Sequence, residues 1–209
     1  MKNTKTSDLV KVSLFVAIIV LMAVTPFLGY IPLGFTRATI IHIPVIIGSI
    51  LLGPKYGGFL GFVFGLTSLL NNTFNPTVTS FVFTPFYSLG TYSGNFWSLV
   101  IVFLPRILVG IVPYYIYRGM KKVKDNDVLA LGVAGVGGSL TNTLLVMSFI
   151  YLFFGQSYAQ AKNVPLSTLY GVIISVIAVN GIPEAIVAGI LTIAICKVLI
   201  KYTNASTLE

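Results

Sequence analysis

Six apolar stretches dominate this sequence, at about 9–29, 39–53, 56–71, 96–117, 128–154 and 169–200. A run of roughly 18 or more apolar residues suffices to cross a bilayer as a helix. Hydrocarbon offers no partner for a backbone amide, so such runs must satisfy their hydrogen bonds internally and fold as helices. Only 9% of the 209 residues are charged, against about 25% in an ordinary soluble domain. The expectation is a single all-α integral membrane domain over residues 1–209, with six transmembrane helices. The second and third stretches are short, and Pro44 is read as interrupting the second. Short spans of this kind fit a bilayer by tilting or local accommodation. The first stretch is too long for the apolar part of a cleaved leader and is expected to be retained.

The charges sort by side. Lys2, Lys5, Lys11, Lys55, Arg118, Lys121, Lys122, Lys124, Lys197 and Lys201 all fall on one side of a six-span threading. Arg37 and Lys162 alone fall on the other. Basic residues mark the cytoplasmic side, so both termini are expected there. The net charge of +8 then reflects topology, and no nucleic-acid partner is implied. The single cysteine, Cys196, excludes an internal disulfide and reads as a packing residue.

Within the spans the polar inventory is short. Arg106 stands in the fourth, in VFLPRILVG, Asn142 in the fifth, and Asn180 and Glu184 in the sixth, in AVNGIPEAIVAG. An arginine at a helix centre costs about 2.5–3.5 kcal/mol on insertion scales, so such residues face the bundle interior and have a partner. Asn180 and Glu184 are four apart and share a helix face. Gly181 and Pro183 between them weaken the backbone ladder. Arg106 and Glu184 form either a structural ion pair or part of a pocket for an anionic ligand, whose carboxylate the guanidinium fork matches with two parallel hydrogen bonds. Asn71, Asn95, Phe96 and Trp97 cluster where the third span ends and the fourth begins. His42 has no second ligand at metal spacing, so a metal site is not expected, and it reads as a packing residue or, less favoured, a proton relay. The uncharged, aromatic segment 72–95 is too long for a simple connection; it is either an interfacial aromatic belt or a lid. No Walker A or nucleophile-elbow sequence is present, which points away from an ATPase or hydrolase. Ser13 and Ala17, small residues four apart in the first span, allow a close helix approach.

The segments HIPVIIGSILLGPKYGGFLGFVFGLTSL, NPTVTSFVFTPF and GNFWSLVIVFLPRILVG resemble the substrate-binding S components of energy-coupling factor (ECF) vitamin transporters, most closely the pantothenate type. The likeness runs over residues 9–200. It implies a vitamin pocket formed by the fourth to sixth helices and covered by loops 30–38 and 72–95, with no cofactor. It also implies partners, namely a transmembrane coupling protein, docked on the helix-one face of Ser13 and Ala17, and two cytoplasmic ATPases. Ser13 departs from the usual Ala-x-x-x-Ala pair, but serine is also small. For pantothenate, Arg106 would take the carboxylate, with Arg37 as a second candidate. Asn142, Asn180 and Glu184 would hold the amide and hydroxyls, and Phe96 and Trp97 the gem-dimethyl group. The rivals are an S component for pyridoxine, a thiamin precursor or folate, and a proton-coupled secondary transporter using Glu184 and His42. Internal repeats are common in such transporters, and none is evident here.

Overall fold

The computed structural model describes residues 4–25, 29–33 and 36–205. The described residues are mostly helical, joined by loops and by two small antiparallel hairpins. The helices are α1 Thr4–Val24, α2 His42–Leu52, α3 Pro54–Phe74, α4 Phe96–Val109, α5 Val112–Val123, α6 Asp127–Ala161, α7 Leu169–Val176 and α8 Ile182–Ala205. The hairpins pair β1 Tyr30–Leu33 with β2 Thr36–Thr39, and β3 Ser88–Leu89 with β4 Tyr92–Ser93. Among the described residues, four helical stretches are long and apolar enough to cross a membrane: Thr6–Val24, Phe96–Val123, Asp127–Ala161 and Leu166–Lys201. α2 is apolar but has only 11 residues. α3 has 21, with Lys55 in its first turn and Asn71 and Asn72 near its end.

The departures from the expected spans have local causes. Pro44 does not interrupt the second stretch; it lies in the first turn of α2, where a missing N–H leaves no helical bond unmade. The 30–38 segment, expected as a loop, contains the β1–β2 hairpin. The fourth stretch is two helices, α4 and α5, parted at Gly110–Ile111. Pro113 near the start of α5 cannot donate back to the Val109 carbonyl. The sixth is also broken: α7 passes through a π-helical turn, Ile177–Gly181, into α8. This wide turn falls where Gly181 and Pro183 were expected to loosen the ladder.

Glycines set how deeply the helices interlock. A Cβ on Gly57 would stand 1.9 Å from the Gly110 carbonyl oxygen, and one on Gly61 2.2 Å from that of Arg106. α3 and α4 therefore cross with their backbones nearly touching, in antiparallel register, as small residues permit. Trp97 at the start of α4 stacks on Phe153 of α6 at 4.0 Å, and Gly181 packs against Thr143 of α6. These registers put the two hairpins and residue 162 at one end of the bundle, and residues 118–124 at the other.

Two apolar clusters fill the interior. One gathers α1, α2, α3 and α8 and includes the fully buried Cys196. The other joins Ile101 of α4 with Val146, Ile150, Phe154 and Tyr158 of α6, Leu169 of α7, and Phe81 and Val82 from the segment after α3. That segment, residues 75–95, is thus inserted into the end of the bundle at its centre.

Candidate functional site

At the hairpin end lies a cavity of about 100 Å³. α3 contributes Ser68 and Asn72, and the 75–95 segment Thr77, Thr79 and Phe83. α4 supplies Arg106, α6 Met147, Ile150 and Tyr158, α7 Val176, the π turn Asn180, and β2 Thr39. From Met147 to Tyr158 the axis of α6 rises about 16 Å. The helix registers place Arg106 and Asn180 near the Met147 level. The cavity therefore has a charged floor and an upper part of hydroxyls and amide near Asn72, Thr77, Thr79 and Tyr158.

Arg106 is only 6% exposed. Its side chain folds back toward the start of α4, the usual direction on a helix, and Nη1 donates to the Ile101 carbonyl at 2.8 Å. The guanidinium carbon lies 5.6 Å from the Phe64 ring centroid and 5.3 Å from that of Phe83. Contacts of a cation with aromatic faces are worth up to about 2 kcal/mol when desolvated. These contacts and the cavity's polar walls make a guanidinium tolerable in this apolar bundle. They also fix its plane.

Glu184 does not line the cavity. Its Oε1 accepts from the Thr39 backbone N–H at 2.8 Å, and Thr39 is itself a lining residue. Glu184 thus ties the end of the β1–β2 hairpin to the start of α8.

The 75–95 segment is held over the cavity by side chains. Ser80 Oγ donates to Asn72 Oδ1 at 2.8 Å and accepts from the Thr77 N–H at 2.8 Å. Ser98 Oγ donates to the Phe81 carbonyl at 2.8 Å, and the Thr73 and Thr84 hydroxyls bond at 2.7 Å. Asn72 Nδ2 donates to the Ser68 carbonyl at 2.9 Å.

The sequence candidates separate on this map. Arg106 and Asn180 meet in the cavity. Asn142 is buried on α6 with Oδ1 lacking a protein partner, outside the lining. Asn71 is turned to Asn75, whose Nδ2 donates to it at 3.3 Å, and the neighbouring Asn72 takes the cavity position. Asn95 caps α4: its side chain accepts from the Trp97 N–H at 2.9 Å, and Ser98 Oγ accepts from the Asn95 N–H at 3.1 Å. Phe96 is 70% exposed and Trp97 43% exposed, and neither lines the cavity. Arg37 belongs to β2, but its side chain lies outside the described residues. His42 is fully buried at the start of α2. Among the described residues no three His, Cys, Asp or Glu side chains gather as for a metal. Ser13 and Ala17 are exposed on α1.

Sequence reasoning missed Ser68, Thr77, Thr79, Phe83 and Tyr158, and chose Asn71 over the adjacent Asn72. A signal existed for Ser68 and Asn72. Gly57, Gly61, Gly65, Ser68 and Asn72 recur at steps of four, four, three and four, a single helix face. Asn71 stands about 100° off that face.

A loop-capped cavity with a cationic floor lies inside a helical bundle that includes, among the described residues, four apolar stretches long enough to cross a membrane. The chain belongs to the family of the ECF transporter substrate-specific component, which it matches over residues 7–196. The resemblance drawn from the sequence holds, and the family is one of transport components, not enzymes. Over 208 residues the chain is 43% identical to the pantothenic acid transporter PanT of Lactococcus lactis subsp. cremoris, covering 99% of this chain and 100% of that protein. It is 34% identical over 217 residues to the pantothenate transporter PanT of Leuconostoc mesenteroides subsp. mesenteroides, with 100% of both covered. The crystal structure of the S-component for biotin from an ECF-type ABC transporter matches with a TM-score of 0.54, 19% identity and 94% of each chain covered. At that identity the likeness concerns the fold alone.

Proposed function

We propose that this protein is the pantothenate-binding S component of an ECF-type ABC importer. The observation that carries the reading is Arg106 on the cavity floor, its fork oriented by Ile101, Phe64 and Phe83. The names of the two curated relatives support the choice of ligand. Pantothenate has one carboxylate, one amide and two hydroxyls. Arg106 takes the carboxylate; Asn180, Ser68, Asn72 and Tyr158 face the amide and hydroxyls. Glu184 acts by holding Thr39 in the wall.

In this reading α2 and α3 complete a six-span topology with both termini cytoplasmic, as the charge pattern implies. The ligand enters from outside. The cavity, at about 100 Å³, is well below the roughly 300–1,000 Å³ of typical ligand pockets. Loading therefore requires outward movement of the β1–β2 hairpin and the 75–95 segment, which serve as lids. Delivery to the cytoplasm depends on a transmembrane coupling protein and two ATPases, with the exposed Ser13–Ala17 face of α1 as the docking surface.

The test is calorimetric titration of the purified protein with pantothenate. Tight binding is expected, and Arg106→Ala should weaken it at least about 30-fold, the low end for truncating one partner of a buried charge pair. Unchanged affinity in that variant, or tighter binding of pyridoxine, a thiamin precursor or folate, would refute the reading.

A further inference from the structure

Lys162, the C-cap of α6, is a positive charge outside the proposed site. Lys162 follows Tyr158 by four residues, so both stand on one helix face. Tyr158 lines the cavity, and Lys162 Nζ lies 5.7 Å from the centroid of its ring. The lysine is held there by the way the helix ends. Asn163 adopts φ 55°, the left-handed conformation asparagine tolerates. The Asn163 N–H donates to the Gln160 carbonyl at 2.9 Å and the Val164 N–H to the Ala159 carbonyl at 3.0 Å. This is the pair of bonds of a Schellman ending. Val164 packs against the same apolar cluster as Ala159, which anchors the turn.

Burial lowers the Lys162 pKa below the usual lysine range. By the helical rise, the Met147 level of the floor lies about 22 Å below Lys162. At low salt the Debye length is about 30 Å, and at physiological salt about 8 Å. At physiological salt a cation beside the lining residue Tyr158 thus acts on an approaching anion before Arg106, more than one Debye length deeper, does.

We propose that Lys162 is an outer capture point for the ligand's carboxylate, which then descends to Arg106. The inference rests on the pantothenate reading and adds a kinetic role to a residue outside the final site. Charge steering of this kind raises association rates and leaves dissociation largely alone. It would complement the capping role that a lysine at a helix C-terminus has anyway.

The experiment measures association and dissociation of radiolabelled pantothenate by rapid filtration at low and high salt. The wild type, Lys162→Gln, Lys162→Arg and Arg106→Ala are compared, with melting temperatures recorded for each. The expected result is association slowed about fivefold to tenfold in Lys162→Gln at low salt, a much smaller effect at high salt, unchanged dissociation, and recovery in Lys162→Arg. Wild-type association of the uncharged alcohol analogue, with hydroxymethyl in place of carboxylate, should not vary with salt. An unaffected association rate in Lys162→Gln overturns the inference, as does faster dissociation, which would make the lysine part of the bound site. If Lys162→Gln fails to fold, the wild-type salt dependence decides: equal salt responses of the acid and the alcohol overturn it. Normal binding in Arg106→Ala would instead remove the underlying reading.

Discussion

Glu184 offers the sharpest test of how this site is built, because its carboxylate bonds a backbone amide. The Thr39 N–H reaches Oε1 at 2.8 Å, and Thr39 forms part of the cavity wall. A hydrogen bond to a charged group contributes about 1.5–3 kcal/mol, a neutral one about 0.5–1.5 kcal/mol. Glu184→Gln keeps an acceptor at the same reach and loses only the difference, about 1 kcal/mol, or roughly fivefold in affinity if the hairpin closes over the ligand. Glu184→Ala leaves the Thr39 amide without a partner, costing about 2–3 kcal/mol, or roughly 30-fold to 150-fold. Calorimetric titration of both variants with pantothenate, beside their melting curves, measures the split. A glutamine variant as weak as the alanine variant would refute the reasoning, since it would show that the negative charge itself is what matters, as a counter-ion to Arg106. An alanine variant with wild-type affinity would refute it from the other side.

Three further outcomes follow from the geometry. Gly57→Ala places a Cβ 1.9 Å from the Gly110 carbonyl oxygen; backbone cannot yield as a side chain does, so a loss of at least about 3 kcal/mol, the upper end for ordinary overpacking, should appear in thermal unfolding in detergent. Asn95→Ala removes the α4 cap; it should cost about 1 kcal/mol of stability with pantothenate affinity unchanged, whereas a loss of affinity at constant stability would make Asn95 a ligand contact. Because burial depresses the Lys162 pKa, its cationic form is lost as pH rises, earlier than for an exposed lysine. The association rate for pantothenate should therefore decline at a lower pH than the alkaline limit set by ordinary lysines, and the Lys162→Arg variant should shift that decline upward.

Much of this architecture was legible because a bilayer leaves few options for an apolar chain. The helical class and the interior position of Arg106 follow from the cost of exposing amides or charge to lipid. The weak point near Gly181 and Pro183 was also readable, and the π turn Ile177–Gly181 falls there. What the sequence hid depends on which way a side chain turns. Asn71 and Asn72 are adjacent, and only the packing of the α3 glycine face against α4 decides which one reaches the cavity. Trp97 and Phe96 look like ligand-covering aromatics by type; Trp97 stacks on Phe153, outside the cavity. Glu184 looked like a partner for arginine, yet a backbone amide across the bundle, 145 positions away in sequence, bonds its carboxylate. Thr77, Thr79 and Phe83 reach the cavity because the 75–95 segment buries Phe81 and Val82, a tertiary event with no local periodicity to announce it.

The π turn has a consequence for how this position can vary. A five-residue return holds one residue more than the regular spiral needs. Excising a single residue between Ile177 and Gly181 would let the segment relax into an unbroken α-helix. Five residues of such a turn sweep about the same angle as four of an α-helix, so the flanks would keep their facing, with Val176 still toward the cavity and Glu184 in place. The turn therefore tolerates loss of one residue where an unbroken helix would lose the alignment of its two halves.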